Sequence, residues 1–283
     1  MRTRHPSGKS MPSRRRFLFG CLGAGVAVAA PVGWYGGIYE PNDIEVTRHA
    51  MPIKNLPARL EGTTAVQISD LHLHEADAHH TRMIDLIQQE NPAYVFFTGD
   101  LVNEQSAIGH AADVFRAIQP PGGIWAVIGN SDRSAGAVEL VQAQLRSAHV
   151  RYLVNANTQI ESGLWLVGVD DPSDYASADV GAALEGVPSG APTILLAHSP
   201  DIADQLNGAR FDFMLAGHTH GGQVNLPFFS GAWLHDGPSS EYVSGLYSAS
   251  GSPLYVNRGI GTQRVPIRIG ARPEITVFTF HGA

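Results

Sequence analysis

From Thr64 onward, short apolar runs alternate with amphipathic stretches. Thr64–Ser69 (TAVQIS) leaves no room for a solvated face and reads as a buried strand. Thr81–Gln89 places Met83, Ile84 and Ile87 on one helical face, and Asn91-Pro92 ends that helix. The same alternation predicts strands at Ala93–Phe97 and Gly123–Ile128, and helices at Ala107–Ile118 and Gly136–Ala148. Further apolar strands are expected at Leu164–Val169, Thr193–Leu196, Phe213–Ala216, Leu254–Val256 and Ile275–Phe280. Strands that alternate with helices imply βαβ units around a largely parallel sheet, an α/β fold. The Gly-, Ser- and Pro-rich stretch Ser230–Ser252 reads as a long loop, interrupted by Tyr242 and Tyr247. No repeat or linker divides this body, so a single domain is expected over residues 38–283.

Residues 1–37 follow a different pattern. Arg14-Arg15-Arg16-Phe17-Leu18 opens onto an apolar, small-residue stretch that runs to Val32 and includes Ala27-Val28-Ala29-Ala30. A basic start followed by a short apolar region makes a secretory signal, and the paired arginines before Phe-Leu match the twin-arginine export type. The partner implied is the twin-arginine export machinery or the membrane itself, and the place a bacterial cell envelope. An uncleaved anchor is the competing reading. The stretch holds Gly20, Gly23 and Gly25, and is shorter than the ~20 strongly apolar residues of a comfortable span.

Charge sharpens the division. The net charge is −7, but residues 1–30 carry Arg2, Arg4, Lys9, Arg14, Arg15 and Arg16 and no acid. Removing those six from the 19 Lys and Arg leaves 13 against 26 acids, a body at −13. Such a body excludes the basic surface that nucleic-acid binding needs, and it suits a site that collects divalent cations. Cys21 is the one cysteine, so no disulfide can form within the chain.

The chemistry gathers where strands end. The first strand runs into Asp70-Leu71-His72, the second ends Gly99-Asp100 and the third Gly129-Asn130. Later strands end at His198 and at Gly217-His218-Thr219-His220-Gly221-Gly222. In open α/β sheets ligands bind beyond the carboxyl ends of strands, so these groups are expected at one sheet edge. Carboxylates and neutral imidazoles are ligands for Mn, Fe or Zn, and one carboxylate can bridge two ions. Gly99, Gly129 and Gly217 stand where a residue without Cβ lets the backbone come close. Each element alone is common by chance. Together and in this order they are specific, because two imidazoles flanking one residue in Gly-His-Thr-His-Gly face the same side of an extended segment.

The series Asp70-x-His72, Gly99-Asp100, Gly129-Asn130, His198 and Gly217-His218-Thr219-His220 resembles the signature of the calcineurin-like metallophosphoesterases. Ile68-Ser69-Asp70-Leu71-His72-Leu73, His198-Ser199-Pro200-Asp201, Gly221-Gly222-Gln223 and Asn257-Arg258-Gly259-Ile260-Gly261 resemble the exported or membrane-attached bacterial branch of that family. The resemblance implies a four-layer α/β/β/α sandwich with a dinuclear metal site at strand ends. It implies that Asp70, His72 and His220 hold one ion and Asn130, His198 and His218 the other, with Asp100 bridging. Asp100, Asn130 and His218 then stand at the catalytic centre. The activity implied is hydrolysis of a phosphodiester or pyrophosphate by in-line attack of a metal-bridging hydroxide. Relatives of that branch cleave the pyrophosphate of UDP-2,3-diacylglucosamine in lipid A synthesis, so the resemblance implies a nucleotide-linked lipid as substrate. A UDP-linked substrate is cytoplasmic, however, whereas an exported body would face outward, and a broad-specificity envelope phosphodiesterase or phosphatase is the alternative.

One residue departs from the family pattern. Gly129-Asn130-Ser131-Asp132 has serine where the family usually has a histidine near the leaving group. General acid catalysis contributes roughly 10²–10⁴-fold, and serine cannot supply it near neutral pH. Ser131 therefore favours a diester or pyrophosphate with a good leaving group, or a substitute imidazole from His74, His79 or His235. A metal-binding protein with weakened catalysis is the remaining alternative. Asp170-Asp171 and Arg258 are candidates for the pocket wall, against the plainer readings of a turn and a surface charge.

Overall fold

The computed structural model of the chain describes residues 31–74, 78–136, 138–161, 163–172, 178–226, 229–230 and 241–283. Among these residues fourteen strands run β1 Glu45–Ile53, β2 Thr64–Ile68, β3 Tyr94–Phe97, β4 Ile124–Ala126, β5 Val150–Tyr152, β6 Ala156–Glu161, β7 Leu164–Gly168, β8 Thr193–Leu196, β9 Phe213–Ala216, β10 Asn225–Leu226, β11 Phe229–Ser230, β12 Gly245–Ala249, β13 Ser252–Val256 and β14 Glu274–Gly282. The helices are α1 Ala78–Glu90, α2 Ile108–Arg116, α3 Asn130–Ser134, α4 Val138–Arg146 and α5 Val180–Leu184, preceded by a helical turn over Tyr35–Asn42. No helix among the described residues is long and apolar enough to cross a membrane.

Twelve of these strands form two six-stranded sheets where the apolar pattern suggested one, and β10 and β11 make a separate antiparallel pair. The first has the order β1-β14-β2-β3-β4-β5 and the second β12-β13-β9-β8-β7-β6. β2, β3, β4 and β5 pair in parallel, as do β7, β8, β9 and β13. Antiparallel pairs join β14 to β2, with Val277 opposite Val66, β6 to β7 and β12 to β13, and β1 closes the first sheet in parallel with β14. The chain changes sheets between β5 and β6.

Alternation within single strands shows why the runs look uniformly apolar. In β3, Val95 and Phe97 pack against the cluster under α1 and α2, while Tyr94 and Phe96 face the second sheet. In β9, Phe213 and Leu215 meet them from the other side, and Met214 and Ala216 join the outer cluster under α5. Every residue of these strands is buried on one side or the other, so the sequence carries no polar face. Helices, sheet, sheet and helices thus make the four layers.

Six strands escaped the sequence reading, β1, β5, β6, β10, β11 and β12, and two of them show why. β1 is an edge strand in which only Met51 and Ile53 are buried, and its polar majority hides it. β12 lies inside Ser230–Ser252, so that stretch is partly a hairpin with β13 rather than wholly a loop. Residues 231–240, which include His235, and the export motif at 1–30 lie outside the described residues. The 37/38 boundary falls within the helical turn Tyr35–Asn42, whose Glu40 carboxylate accepts from the Ala271 N–H at 2.6 Å.

Candidate metal centre

The two sheets present their carboxyl ends side by side. β2, β3 and β4 deliver Asp70, His72, Asp100 and Asn130, and β8 and β9 deliver His198, His218 and His220. Parallel pairing continues past the first two strand ends: Asp70 N–H donates to Gly99 O at 2.9 Å and His72 N–H to Asp100 O at 3.1 Å. Asp70, His72, Asp100, His218 and His220 all have positive φ, between 45° and 73°. That left-handed backbone costs L-residues energy and recurs at functional sites, where packing enforces it. Close approach also explains two glycines. A Cβ at Gly129 would collide with the Asp100 carboxylate, and one at Gly217 with Ser69 Oγ.

All seven side chains meet in one buried cluster. His72 Nε2 and His220 Nε2 stand 3.0 Å apart, with Asp70 Oδ1 3.5 Å from His220 Nε2. His198 Nε2 lies 3.0 Å from Asn130 Oδ1 and 3.1 Å from His218 Nδ1. Asp100 spans the two groups, with Oδ2 3.4 Å from His72 Nε2 and Oδ1 3.3 Å from His198 Nε2. Asp70, His72 and His220 could hold one ion, and Asp70, Asp100 and His198 form a second overlapping set of suitable atoms.

Supporting contacts aim the rings. His72 Nδ1 donates to Asn103 Oδ1 at 2.7 Å and His198 Nδ1 to Thr98 O at 2.8 Å, so each keeps Nε2 toward the cluster. His220 differs. Its Nδ1 accepts from Arg268 Nη2 at 3.3 Å, and Arg268 also donates to Ala271 O at 2.8 Å and to Arg258 O at 3.0 Å. Arg268 is fully buried. Asp132 ties α3 to the strand ends, accepting from Leu101 N–H at 3.0 Å, Val102 N–H at 3.1 Å and Gly129 N–H at 3.2 Å.

The electrostatics call for cations. Burial, offset in part by His198, pushes the Asp70 carboxyl up, and the neighbouring Asp100 charge adds to it. Burial opposes ionisation of Asp100 too, but His198, with His72 and His218, outweighs it and holds that carboxyl well below the usual range. Burial likewise opposes a charged His198, yet Asp100 and then Asp70 lift the imidazole well above its ordinary value. A proton on His198 thus supplies positive charge that two buried carboxylates demand. His220 is driven well below its ordinary value by burial, then by His72 and Arg268. Oxygen and imidazole donors of this kind, buried and short of positive charge, fit divalent metal ions.

Other expected residues fare differently. Ser131 donates twice to the same carboxylate, its N–H to Asp100 Oδ1 and its Oγ–H to Asp100 Oδ2, both at 2.8 Å. His74 is exposed and lines, with His72, a cavity of about 200 Å³ beside the cluster; the side chain of His79 is not described. Arg258 is bound to Glu45 at 2.6 Å and to Glu274 at 3.0 Å. Asp170 pairs with Arg133, and Asp171 is buried beside it. Asn103, Asp132 and Arg268 were missed. Asp132, two residues past Asn130, had the spacing of a helix N-terminal acid as its signal, whereas Arg268 stands in no motif.

Fold and site together define a metal-dependent phosphoester hydrolase. The chain belongs to the calcineurin-like phosphoesterase family, whose profile matches residues 63–222. It is similar to the metallophosphoesterase YkuE of Bacillus subtilis, with 31% identity over 279 residues that cover 94% of this chain and 97% of that protein. A transmembrane protein with metallophosphoesterase domain from Danio rerio is 31% identical over 268 residues, 88% of this chain and 60% of that protein. Phosphodiesterase YaeI of Escherichia coli is 28% identical over 290 residues, 94% of this chain and 98% of that protein. The family uses divalent metals.

Proposed function

We propose that the protein is a two-metal phosphodiesterase of the bacterial cell envelope, cleaving a phosphodiester or pyrophosphate with a good leaving group. The observation that carries this reading is Asp100, whose two oxygens face His72 on one side and His198 on the other. Asp70, His72 and His220 would hold one ion, and Asn130, His198 and His218 the other, with Asp100 shared. Two ions held there, Mn, Fe or Zn, supply an acidified water and neutralise charge on the phosphoryl oxygens.

The chain's own residues set the rest of the chemistry. His72 and His198 are oriented by Asn103 and Thr98, so that each offers Nε2 without reorganisation. Asn130 offers Oδ1 from the start of α3, whose position Asp132 secures. Ser131 is committed to Asp100 and sits where the family carries its histidine acid, so little protonation of the leaving oxygen is available. That favours leaving groups of low pKa, in line with the phosphodiesterase name of YaeI. The twin-arginine-type N-terminus and the membrane-associated relative from Danio rerio support attachment to the envelope. A UDP-2,3-diacylglucosamine-type lipid is the substrate the resemblance suggests, and simple envelope diesters are the alternative an outward-facing body favours.

The test is hydrolysis of bis(p-nitrophenyl) phosphate by the full chain, with Mn²⁺ and with chelator, beside p-nitrophenyl phosphate and a UDP-linked lipid. Metal-dependent turnover of the diester above the monoester is expected. Metal bound without turnover of any of the three would overturn the reading in favour of a catalytically silent metal-binding protein.

A further inference from the structure

Large apolar side chains are seldom exposed at random in clusters, and here they are concentrated. Among the described residues nine large hydrophobics are exposed, and seven of them lie on two abutting segments: Val32, Trp34, Tyr35, Ile38 and Tyr39, and Val265 and Ile267. Trp34 and Ile38 are 56% and 58% exposed. The segments are locked together. Gly36 packs so closely on Ile267 and Ile269 that a Cβ would meet Ile269 at 2.7 Å, and Arg268 N–H donates to Gly36 O at 2.8 Å. Tyr39 stacks on both Trp34 and Tyr35, with ring centroids 5.7 and 5.6 Å apart. On the second segment Val265 and Ile267 face outward, while Arg268 turns inward to His220.

The chemistry of this face points to one occupant. No residue from Phe17 to Tyr39 carries a charge, and Arg14-Arg15-Arg16 stand immediately before that stretch. Val265-Pro266-Ile267 carries none either. Trp and Tyr flanked by aliphatic residues are the composition that settles at a membrane–water boundary, and basic residues at the far end suit anionic headgroups. At the border of the face the exposed Arg264 stands immediately before Val265, a cation that suits anionic headgroups, and neither segment carries an acid.

The face also borders the metal centre. The cavity of about 200 Å³ has His72 and Gly261 on its inner side and Gly37, Pro41 and Asn42 on its outer side. The helical turn that carries the exposed aromatics is therefore one wall of the opening beside the cluster. We infer that this face lies in the lipid interface, so that the enzyme draws its phosphoester from amphiphiles in the bilayer on which it rests. The acyl chains stay in lipid while the headgroup reaches past Gly37 and Asn42 toward His72. This substrate class rests on the phosphodiesterase reading above; the docking of the face does not.

The two are tested separately in the full chain. In a Cys21→Ser background, Ile267→Cys carries an environment-sensitive fluorophore, and Ser189→Cys, next to Pro188 and Gly190 in a different cavity, carries the control label. Vesicles of phosphatidylethanolamine and phosphatidylglycerol are then added. The expected result is a blue shift and a severalfold brightening at position 267, with none at 189. A label at 267 that stays in water while the protein floats with the vesicles overturns the inference, since the N-terminal stretch alone would then hold the membrane. A label already in an apolar setting before vesicles are added overturns it too, because the chain's own N-terminus or a second copy would then cover the face.

The activity arm compares a vesicle-resident phospholipid diester with soluble bis(p-nitrophenyl) phosphate. The triple variant Trp34→Ser, Ile38→Ser, Ile267→Ser is expected to lose about tenfold or more on the vesicle substrate and less than about twofold on the soluble one. Equal losses on both substrates would overturn a membrane role for the face. If neither is hydrolysed by the unaltered protein, the phosphodiesterase reading fails and the fluorescence alone decides the docking.

Discussion

The two halves of the metal centre use the same ligand types and sit in different electrostatic settings. On the His198 side, Nδ1 donates to a backbone carbonyl, and against the effect of burial Asp100 and Asp70 lift the imidazole's proton affinity. On the His220 side, burial and then His72 drive the ring the other way, and the buried Arg268 guanidinium, 3.3 Å from Nδ1, adds to them. A fixed positive charge behind one ligand lowers that half's appetite for a second cation. The same ligand type thus sits in two settings, and the contact that distinguishes them, Arg268 behind His220, comes from a residue without a motif.

The largest expected effect breaks both halves together. Asp100→Asn removes the carboxylate they share, and kcat for a diester should fall on the order of 10²–10³-fold or more. Metal analysis of the purified variant should show both ions depleted, and an intact second ion would refute the sharing. Next comes the change that separates the halves. Arg268→Leu strands the buried carbonyls of Arg258 and Ala271 and should lower stability by about 3–5 kcal/mol in denaturant titration. It should also change affinity for one ion by about 10–100-fold while leaving the other within a few fold, as titration with Mn²⁺ would show. Arg268→Lys should recover part of the stability without the fork's geometry. Equal shifts at both ions in either variant would erase the asymmetry.

The smallest expected effects sharpen the roles at Ser131. Ser131→Ala removes one of two donors to Asp100 and should cost on the order of 1 kcal/mol, about fivefold in kcat/KM. Ser131→His should restore an acid near the leaving oxygen, raising monoester turnover toward the 10²-fold level and diester turnover much less. A larger gain on the diester would mean that leaving-group protonation limits the native reaction after all.

Much of this was legible in the chain. Strands β2, β3, β7, β8 and β9 and helices α1, α2 and α4 announce themselves through apolar runs and periodicity, because buried strands leave no polar positions to confuse them. The seven clustered side chains were legible because each follows a strand directly. Where one sheet stops and the next begins was not, since Leu153-Val154-Asn155 looks like any short connection. The edge strand β1 was hidden by its exposed polar positions. Arg268 was hidden by its setting in Ile267-Arg268-Ile269, where an arginine reads as a surface charge. Only packing shows that its neighbours face outward and it faces in.

The position of the cluster on the seam between the sheets has a consequence for how the molecule is held together. His72 and His220 belong to different sheets and are 148 residues apart in the chain. An ion gripped by both closes that length into a loop, and in a chain-entropy treatment a cross-link of such span removes about 5 kcal/mol of freedom from the unfolded chain. With Cys21 alone, the protein has no disulfide to serve that end. Bound ions would serve as that cross-link, so chelation should lower the thermal midpoint while the apolar core between the sheets keeps them packed.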